Sequence, residues 1–456
     1  MNICITPAKL SGTIGAIPSK SDLHRALICA ALADRPTEIV LSSGCVLAED
    51  IQATIHCLEA LGAVIRLRPD QAAAKTGTCL MVPGNPDREK KVISLLVEPV
   101  DKIPDKVYFD CGESGSTLRF LIPVASALCK QAVFSGSGRL PERPLAPLPE
   151  ILRPHGCTFS SDRLPFVITG CPSDETERDP EFILPGNISS QFISGLLLAA
   201  PLFKGIRIRL TTPAVSASYI TMTINTMKRF GVTVEQTDSG FRVPDCSARY
   251  RTPRRYEVDG GWSSASFFIA ADVLSDNSVP LSNQAFCSGH SVSVTGLRPD
   301  SAQGDKIIRK YAEVFRNRRL SADPAPLIID ADSIPDLVPP LAVLASLTPG
   351  TTRIINVGRL RLKESDRLLA TSEMLLALGA NVRTEENELH IEGKNRLRGG
   401  TVNGYRDHRI VMSAAIASIG CTSSVTVTDA EATAKSYPSF WDDFTSLGGR
   451  ITRANA

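Results

Sequence analysis

The segment Glu49–Arg68, EDIQATIHCLEALGAVIRLR, contains the pattern that decides the fold. Ile51, Ile55 and Leu58 recur at the spacing of one helical face, which predicts an amphipathic helix. Gly62 follows this helix, and glycine suits the left-handed backbone position after a helix, where other residues are strained. The residues after Gly62 resume an extended pattern, so we expect a helix, a glycine stop and a strand in direct succession.

The same succession recurs along the chain. Clear copies place their glycine at Gly231 and Gly379, and weaker copies surround Gly156 and Gly448. In the copy at Gly231, the strand is expected at Val232–Val234. The recurrence indicates one supersecondary unit repeated many times, because each copy supplies the same helix and strand.

The intervals between these glycines indicate six units. They are 94, 75, 148 and 69 residues long, and 148 is twice 74. A further copy is therefore expected near residue 305, where Asp305–Phe315 has helical spacing. Six units of about 75 residues favour two similar α/β domains of three units each. We expect the division in Pro244–Gly261, which has four arginines and little apolar periodicity, although such a stretch is also typical of a solvated loop inside one domain.

Composition excludes several functional classes. The 456 residues include 50 basic and 48 acidic side chains, a formal net charge of +2, and 43% are hydrophobic. A nucleic-acid-binding protein usually has a large basic excess. The chain has no apolar run of about 18 residues, the length that a membrane helix needs. Met1–Leu10 does not resemble a signal peptide. The twelve cysteines are scattered without zinc-binding spacing, which favours reduced thiols in a cytoplasmic protein.

Five short polar motifs each stand directly before an expected helix: Pro18–Arg25, Cys111–Arg119, Gly186–Gln191, Lys363–Arg367 and Arg406–Arg409. The start of a helix offers unpaired N–H groups and the positive end of a dipole, which attract phosphate or carboxylate groups. Each motif alone is more often only a helix cap beside a solvated charge. Five of them, with arginine or lysine in all but one, indicate anion binding in a chain of almost no net charge.

Four further motifs occur along the chain: Gly136–Pro144 (GSGRLPERP), Gly296–Asp305 (GLRPDSAQGD), Ile334–Asp336 (IPD) and Ala434–Pro438 (AKSYP). With these motifs, in this order and over nearly its full length, the chain resembles the 5-enolpyruvylshikimate-3-phosphate synthases, also called 3-phosphoshikimate 1-carboxyvinyltransferases. The resemblance implies an α/β fold of two similar domains, each of three repeated βαβαββ units, known as the inside-out α/β barrel of enolpyruvyl transferases.

The resemblance also implies domain limits. In the family the first residues of the chain pack with the C-terminal domain, so we expect one domain over residues 18–259 and the other over residues 1–17 plus 260–456. The first would be the shikimate- and phosphate-binding half. The second would supply the catalytic carboxylates and cations that bind phosphoenolpyruvate.

The implied reaction transfers the enolpyruvyl group of phosphoenolpyruvate to the 5-hydroxyl of shikimate 3-phosphate and releases phosphate. By resemblance, the residues that hold phosphoenolpyruvate are Lys20, Gly115, Arg143, Gln191, Arg367, Arg409 and Lys435. Those that hold shikimate 3-phosphate are Lys20, Ser21, Arg25, Ser189, Ser190, Gln191, Ser216, Asp336 and Lys363, with Tyr219 close by. Both substrates carry a phosphate and a carboxylate, which matches the cationic motifs.

The chemistry needs an acid and a base. Similarity suggests Asp336 as the base toward the 5-hydroxyl and Glu364 as the donor that protonates the methylene carbon of phosphoenolpyruvate, with Lys20 as the rival donor. We expect no metal and no organic cofactor, because fixed cations can stabilise the developing charge. His24 and His408 are expected to be structural.

Four positions depart from the commonest family pattern. Ser116 replaces a threonine, which keeps the hydroxyl. Glu113 replaces an asparagine near phosphoenolpyruvate, and we expect it to point away or to pair with a cation. Gly261 stands where aspartate is usual. Arg359 replaces an asparagine that contacts shikimate 3-phosphate, so we do not count it as a ligand.

Two alternatives remain open. The related UDP-N-acetylglucosamine enolpyruvyl transferase has a reactive loop cysteine, whereas Gly136–Pro144 has none. A catalytically inactive anion-binding protein would not need both Asp336 and Glu364. The expected partners are therefore two small-molecule substrates, with no nucleic acid and no membrane. We expect a monomer whose domains close around shikimate 3-phosphate.

Overall fold

The computed structural model describes residues 1–69, 92–170, 179–244, 250–276, 291–322 and 324–454. No helix in these ranges is long and apolar enough to cross a membrane. Contacts divide the described residues into two units. The N-terminal unit lies within Pro18–Asp259, and the C-terminal unit combines Met1–Ile17 with Gly260–Ala456.

The helices are α1 (Lys20–Ala31), α2 (Glu49–Ala60), α3 (Gly115–Leu128), α4 (Leu148–Leu152), α5 (Ser190–Ala199), α6 (Ala217–Arg229), α7 (Trp262–Ser275), α8 (Ile308–Leu320), α9 (Val338–Ser346), α10 (Arg367–Ala377), α11 (His408–Ala417) and α12 (Phe440–Ser446). Short 3₁₀ helices cover Leu140–Glu142, Arg153–His155, Ala200–Phe203, Gly304–Ile307, Pro335–Leu337, Gly358–Leu362, Ser418–Gly420 and Ala430–Lys435.

The strands are β1 (Asn2–Thr6), β2 (Gly12–Gly15), β3 (Thr37–Cys45), β4 (Val64–Pro69), β5 (Val92–Glu98), β6 (Lys106–Asp110), β7 (Gln131–Ser135), β8 (Thr158–Phe159), β9 (Phe166–Thr169), β10 (Glu181–Leu184), β11 (Ile206–Leu210), β12 (Glu235–Thr237), β13 (Gly240–Val243), β14 (Arg255–Glu257), β15 (Val292–Thr295), β16 (Leu327–Asp330), β17 (Gly350–Ile355), β18 (Asn381–Thr384), β19 (Glu388–Gly393), β20 (Gly400–Val402), β21 (Val425–Val427) and β22 (Arg450–Ala454).

One sheet pattern recurs in both units. The four-stranded sheets have the orders β14-β3-β5-β4, β6-β7-β9-β8 and β10-β11-β13-β12 in the N-terminal unit. The orders in the C-terminal unit are β16-β17-β19-β18 and β20-β21-β1-β22, and β15 pairs with β2. In each four-stranded sheet the first two strands are parallel and the remaining pairs are antiparallel. Because a parallel pair needs a crossover helix, this order is the βαβαββ unit, and the expected fold class is confirmed.

The first residues of the chain complete sheets of the C-terminal unit. Strand β1 pairs with β21 and β22, and β2 pairs with β15. The chain then enters the N-terminal unit at Pro18 and leaves it at Asp259. The last strand of that unit, β14, pairs with its earliest strand, β3.

Helices form the interior of each unit and sheets form its outside. Twelve of the fourteen residues of α3 and all ten of α11 are buried, whereas β6 alternates between exposed and buried residues. A helix that is apolar on all sides belongs in the middle of a large core. In the N-terminal unit α3 packs against α5, α5 against α6 and α6 against α1. Helices that start at corresponding points of each repeat therefore bring their N-termini together inside the unit.

The predicted glycine stops are confirmed. Gly62, Gly231 and Gly379 have positive φ angles of 112°, 78° and 89°. At each one, the glycine N–H and the next N–H both bond back to helix carbonyl groups, which is the Schellman cap. Gly156 and Gly448 also have positive φ.

The helix expected over Asp305–Phe315 is confirmed, whereas one expected strand is displaced. The helix is α8, Ile308–Leu320, preceded by the 3₁₀ turn Gly304–Ile307. No glycine ends α8, because Ser321 follows Leu320 in extended conformation, with φ −83° and ψ 136°, which does not require glycine. The strand expected at Val232–Val234 is wrong: β12 covers Glu235–Thr237, because these are the residues that pair with β13.

We predict that alanine at Gly62 destabilises the protein more than alanine at Gly231. Both have positive φ, which costs about 1 kcal/mol for alanine. A Cβ at Gly62 would also collide with the carbonyl oxygen of Lys102, whereas the nearest atom to a Cβ at Gly231 is Arg251 Cβ at 3.3 Å. Urea unfolding should show that G62A lowers the free energy of unfolding by at least about twice as much as G231A does. Equal decreases in the two variants would show that the collision with Lys102 does not occur.

Candidate active site

Serine hydroxyls cap three buried helix starts in the N-terminal unit. Ser19 accepts from the N–H of Asp22 at 3.4 Å, and Ser114 accepts from that of Thr117 at 3.2 Å. Ser189 accepts from the N–H of the residue two positions later at 3.3 Å. The polar motifs are therefore partly explained as helix caps. Their remaining side chains, described next, form a cluster of cations.

Arg25 connects two of the predicted site residues. Its guanidinium donates to the carbonyl groups of Ser21 at 2.6 Å and Tyr219 at 3.0 Å, and to the Thr223 hydroxyl at 2.7 Å. It also lies over the Phe120 ring, 5.0 Å from the centroid. Burial lowers the pKa of Arg25 to about 10, so the side chain stays charged at neutral pH. A buried, fixed cation is thus held between α1 and α6.

Gln191 is oriented by neighbours from α3. Its Oε1 accepts from Arg119 NH1 at 2.9 Å, and its Nε2 donates to the Ser116 hydroxyl at 3.0 Å. Arg119 also donates to the carbonyl of Pro144 at 3.2 Å, in the Gly136–Pro144 loop. Arg119 was not among the predicted ligands. Its signal in the sequence was its place at the end of the Cys111–Arg119 motif.

Two guanidinium groups lie against Gly115 at the start of α3. A Cβ built on Gly115 would lie 2.6 Å from Arg119 NH1 and 2.7 Å from Arg143 NH1. Nε of Arg143 is buried and has no hydrogen-bond partner among the described residues. Two cations beside the N-terminus of a helix form a strong site for an anion.

The other predicted residues of this unit lie at the same helix starts. Lys20, at the start of α1, is in an ion pair with Asp50, with 2.5 Å between Nζ and Oδ2. Ser190 is buried in the first turn of α5, and Ser216 precedes α6 with a positive φ of 51°. The carboxyl group of Glu113 lies so close to Gly138 that a Cβ there would not fit.

In the C-terminal unit, a buried arginine joins three carboxylates. The Arg367 side chain is 1% exposed. Its Nε is 3.0 Å from Asp407 Oδ2 and its NH1 is 3.1 Å from Asp336 Oδ1, and its NH2 donates to Glu364. Burial opposes the charge, but the three carboxylates outweigh it and raise the pKa of Arg367 above its ordinary value. Arg367 thus fixes both predicted catalytic carboxylates.

Asp336 is an ionised carboxylate among cations. Burial alone would raise its pKa, but Arg409, Lys363 and Arg367 together hold the pKa well below its usual range. The Lys363 ammonium is 3.4 Å from Asp336 Oδ1. Asp336 lies in the 3₁₀ turn directly before α9, so its position is fixed by a buried helix start.

Arg409 is held on two sides. Its NH1 donates to the main-chain carbonyl of Asp336 at 2.9 Å, and its NH2 donates to the Ser263 hydroxyl at 2.7 Å. Asp407 caps α11 by accepting from the N–H of Arg409 at 2.9 Å. Lys435 donates to the carbonyl of Arg406 at 2.7 Å, beside the start of the same helix.

Asp305 and Ser263 belong to this cluster although the sequence did not single them out as site residues. The Asp305 carboxyl is buried and bonds to Ser263, whose hydroxyl accepts from Arg409. Burial, followed by the negative charge of Asp336, raises the pKa of Asp305 to about 6 against the opposing charges of Arg409 and Lys363. Asp305 ends the Gly296–Asp305 motif, which was the available signal.

The two departures in this unit have local explanations. Gly261 precedes α7 and has no side chain that could cap this helix. The side chain of Gln303 caps it instead: it accepts from the N–H of Trp262 at 3.0 Å and donates to the carbonyl of Gly260 at 2.8 Å. Arg359 pairs with Asp332, with 3.1 Å between NH2 and Oδ1.

The two histidines of the motifs are buried. Nδ1 of His24 is 2.7 Å from the Thr54 hydroxyl. Burial, helped by the charges of Lys20 and Arg25, lowers the pKa of His24 well below its ordinary value, so its ring is neutral. His408 lies in the first turn of α11. A structural role remains the prediction for both.

One group of side chains in the described part of the chain has the spacing of metal ligands. Ligand atoms of Glu385, Glu388 and His390 lie within 4.8 Å of one another. Arg353 already donates to both oxygens of Glu388, at 2.8–3.1 Å, so this carboxylate is engaged as an ion-pair partner. None of these residues belongs to the two clusters above, and the absence of a metal from the reaction remains a prediction.

Each unit thus presents a polar cluster at its buried helix starts. The cluster of the N-terminal unit is dominated by arginine and lysine at helix N-termini, which suits the binding of anions. That of the C-terminal unit interleaves cations with carboxylates, which suits proton transfer beside an anion.

Known proteins of one family resemble this chain over nearly its full length. The family model for EPSP synthase (3-phosphoshikimate 1-carboxyvinyltransferase) matches residues 5–444. A 3-phosphoshikimate 1-carboxyvinyltransferase of Clostridium novyi is 37% identical over 99% of this chain and 98% of its own length. That of Clostridium acetobutylicum is 38% identical over 98% and 97%. Among solved structures, EPSP synthase from Acinetobacter baumannii has a TM-score of 0.73 at 20% identity, covering 99% of this chain and 100% of its own, which shows a shared fold.

We predict that removing the charge of Arg367 is far more costly than removing that of an exposed arginine. R367M leaves buried carboxylates without their cation, which typically costs about 3–5 kcal/mol. The control is R361M, because Arg361 is 40% exposed and pairs with Asp366 at 3.2 Å. That pair contributes less than about 1 kcal/mol. Urea unfolding measures the free energy of unfolding of both variants. Similar decreases in R367M and R361M would contradict the role of Arg367 in holding the buried carboxylates.

We predict that D305N changes the pH dependence of stability. The folded pKa of Asp305, about 6, is above its unfolded value of 3.8, so ionisation disfavours folding as pH rises through 6. The free energy of unfolding of D305N minus that of the wild type should rise between pH 4 and pH 6 by about 3 kcal/mol and then level off. Urea titrations measure it, with the exposed Asp238→Asn as control. If the difference in free energy of unfolding between D305N and the wild type did not change with pH, the raised pKa of Asp305 would be contradicted.

Proposed function

The chain belongs to the EPSP synthase family, and on that premise we propose which of its residues bind the substrates and carry the reaction. The activity of the family is that of this chain: it transfers the enolpyruvyl group of phosphoenolpyruvate to the 5-hydroxyl of shikimate 3-phosphate, releasing phosphate, in the shikimate pathway to aromatic amino acids. The observation that carries this assignment is the match over nearly the full length of the chain, with relatives 37–38% identical.

Cations of the N-terminal unit are proposed to hold the anionic groups of both substrates. The guanidinium groups at Gly115 support a role in phosphoenolpyruvate binding, because they frame a helix start and Nε of Arg143 is buried without a hydrogen-bond partner in the described ranges. Gln191, oriented by Arg119, would bridge the two substrates. Ser21, Arg25, Ser189, Ser190, Ser216 and Tyr219 would surround shikimate 3-phosphate.

In the C-terminal unit, Arg409, Lys435 and Arg367 are proposed to bind phosphoenolpyruvate. A guanidinium has five N–H groups, and the carboxylates around Arg367 take four of them. The second N–H of NH1 remains for a substrate oxygen. Two of the four bonds go to Asp407 and one each to Asp336 and Glu364, so the direct contact of Arg367 with substrate would be a single hydrogen bond.

Asp336 is proposed to accept the proton of the 5-hydroxyl. Without substrate its low pKa makes it a weak base. An anionic substrate bound to Arg409 would cancel part of the positive potential and raise the pKa of Asp336. Substrate binding would therefore strengthen the base at the moment when it is needed, and Lys363 would keep the carboxylate oriented toward shikimate 3-phosphate.

Glu364 is proposed to protonate the methylene carbon of phosphoenolpyruvate, with Lys20 as the alternative. The hydroxyl oxygen then attacks the cation-like carbon, and the tetrahedral adduct loses a proton and its phosphate. Each of the two candidate proton donors is in an ion pair: Glu364 with Arg367, and Lys20 with Asp50. The fixed cations around the adduct stabilise its charge without reorganisation.

We also propose a cytoplasmic monomer organised as one domain over residues 18–259 and another over residues 1–17 plus 260–456. None of the eight cysteines in the described ranges forms a disulfide, which fits a reducing compartment. Light scattering of the purified protein would test the oligomeric state.

The function is tested by phosphate release from phosphoenolpyruvate. We expect release with shikimate 3-phosphate as acceptor and none with UDP-N-acetylglucosamine. D336N should lower kcat at least about 100-fold, because it removes the proposed base while keeping its size. Release with the nucleotide sugar alone would identify the other transferase, and no release with either would favour the inactive anion-binding protein.

We predict that G115A weakens phosphoenolpyruvate binding. The added Cβ would displace the Arg119 and Arg143 guanidinium groups, and a small misplacement of such groups costs about tenfold or more. Steady-state kinetics should show a KM for phosphoenolpyruvate raised about tenfold or more. The control is S116A, which adds no atom there and should change this KM less than about fivefold. An unchanged KM in G115A would refute the role of these cations.

A further inference from the structure

A cavity of about 200 Å³ lies within the C-terminal unit, and none of its lining residues belongs to the cluster around Asp336. It is lined by the Pro7–Lys9 segment, the end of α7, the end of α8 and the segment that follows β19. The proposed reaction assigns no role to any of these residues.

The lining carries more positive than negative charge. Lys9, Arg319 and Arg396 line the cavity, and Asp276 is the one carboxylate among the described lining residues. That carboxylate is shared with Arg316, which lies outside the lining, with 3.9 Å between Nε and Oδ2. The three cations therefore have less than one carboxylate to balance them.

These cations are also poorly satisfied. Nε of Arg319 is buried and has no hydrogen-bond partner in the part of the chain that the structure describes, while its NH1 donates to the Leu347 carbonyl at 3.3 Å. The Lys9 ammonium donates to the carbonyl of Leu274. Burial, followed by the charges of Arg319 and Arg396, lowers the pKa of Lys9 to about 8. Such a concentration of charge disfavours its own protonated state unless an anion is present.

We propose that this cavity binds a small metabolite through a phosphate or carboxylate group. The arginines offer planar forks of N–H donors that match the oxygens of either group, and Lys9 adds a third cation. Asn395, also in the lining, supplies an amide donor. Three cations around a cavity of this size would meet the oxyanion group, and the rest of the ligand would extend into solvent.

The proposal has a measurable proton signature. The groups that face Lys9 are Arg319 and Arg396, which lower its pKa, and Asp276, which raises it. A bound anion would act as Asp276 does and raise this pKa. Near pH 8, where part of Lys9 is neutral, binding would therefore take up protons from solution.

The test compares the wild type with the double variant K9M/R396A. Equilibrium dialysis against labelled inorganic phosphate measures phosphate bound per chain, and calorimetry at pH 8 in buffers of different ionisation enthalpy measures proton uptake. Phosphate is also a product of the reaction, but binding at the active site is common to both proteins. The matched control is K394A, an exposed lysine two residues from Arg396 and outside the lining.

We expect the wild type and K394A to bind one more phosphate per chain than the double variant, with proton uptake that the double variant lacks. R396E alone, at an exposed position, should weaken this binding at least about tenfold. If malonate competes with phosphate, the cavity binds carboxylates as well as phosphate groups. If malonate does not compete, the cavity binds phosphate groups alone. Identical phosphate binding in the wild type and the double variant would overturn the proposal.

This test is independent of the proposed reaction. The double variant should release phosphate from phosphoenolpyruvate at the wild-type rate, because Lys9 and Arg396 lie outside both polar clusters. If the reaction assignment failed, the difference in phosphate binding would still stand.

Discussion

The buried guanidinium of Arg367 pairs with three carboxylates, and the site of the C-terminal unit depends on this cluster of charges. Its side chain is 1% exposed and is held by Asp336, Glu364 and Asp407. These residues come from the 3₁₀ turn before α9, from the segment before α10 and from the start of α11. The need to neutralise one charge therefore fixes three helix starts of the C-terminal unit. The same charge fixes both carboxylates that we propose as base and acid.

The two units meet the constraint of buried cations differently. In the N-terminal unit the guanidinium of Arg25 is satisfied mainly by carbonyl and hydroxyl groups and by the face of Phe120. Such partners leave the positive charge largely uncompensated, which favours an incoming anion. In the C-terminal unit, carboxylates interleave with the cations. This difference is the reason why we propose a binding role for the cluster in one unit and a proton-transfer role for the cluster in the other.

Local patterns in the sequence predicted much of the fold. The helix, glycine and strand succession was visible at Gly62 because a Schellman cap needs a positive φ angle. At α8 only the interval between the other glycines indicated a copy, because Ser321 leaves this helix in extended conformation, which does not require glycine. The succession also placed a strand too early after Gly231, because β12 begins at Glu235, where its pairing with β13 starts.

The candidate site shows the corresponding limit. The motifs and the family resemblance marked residues such as Lys20, Arg143 and Asp336, which lie at helix starts or in short loops. They did not mark Asp305 or Ser263 as site residues, because the link from Asp305 through Ser263 to Arg409 joins residues far apart in the sequence. A partner of this kind follows from the packing of different repeats, and no local spacing encodes it.

We propose that cations distributed along a nearly neutral chain bind two acidic metabolites. The decisive measurement is a structure with shikimate 3-phosphate and phosphoenolpyruvate bound. We expect side-chain nitrogens of Lys20, Arg143, Arg409 and Lys435 within hydrogen-bonding distance of substrate oxygens. Substrates bound elsewhere, with these nitrogens in contact with water alone, would contradict it.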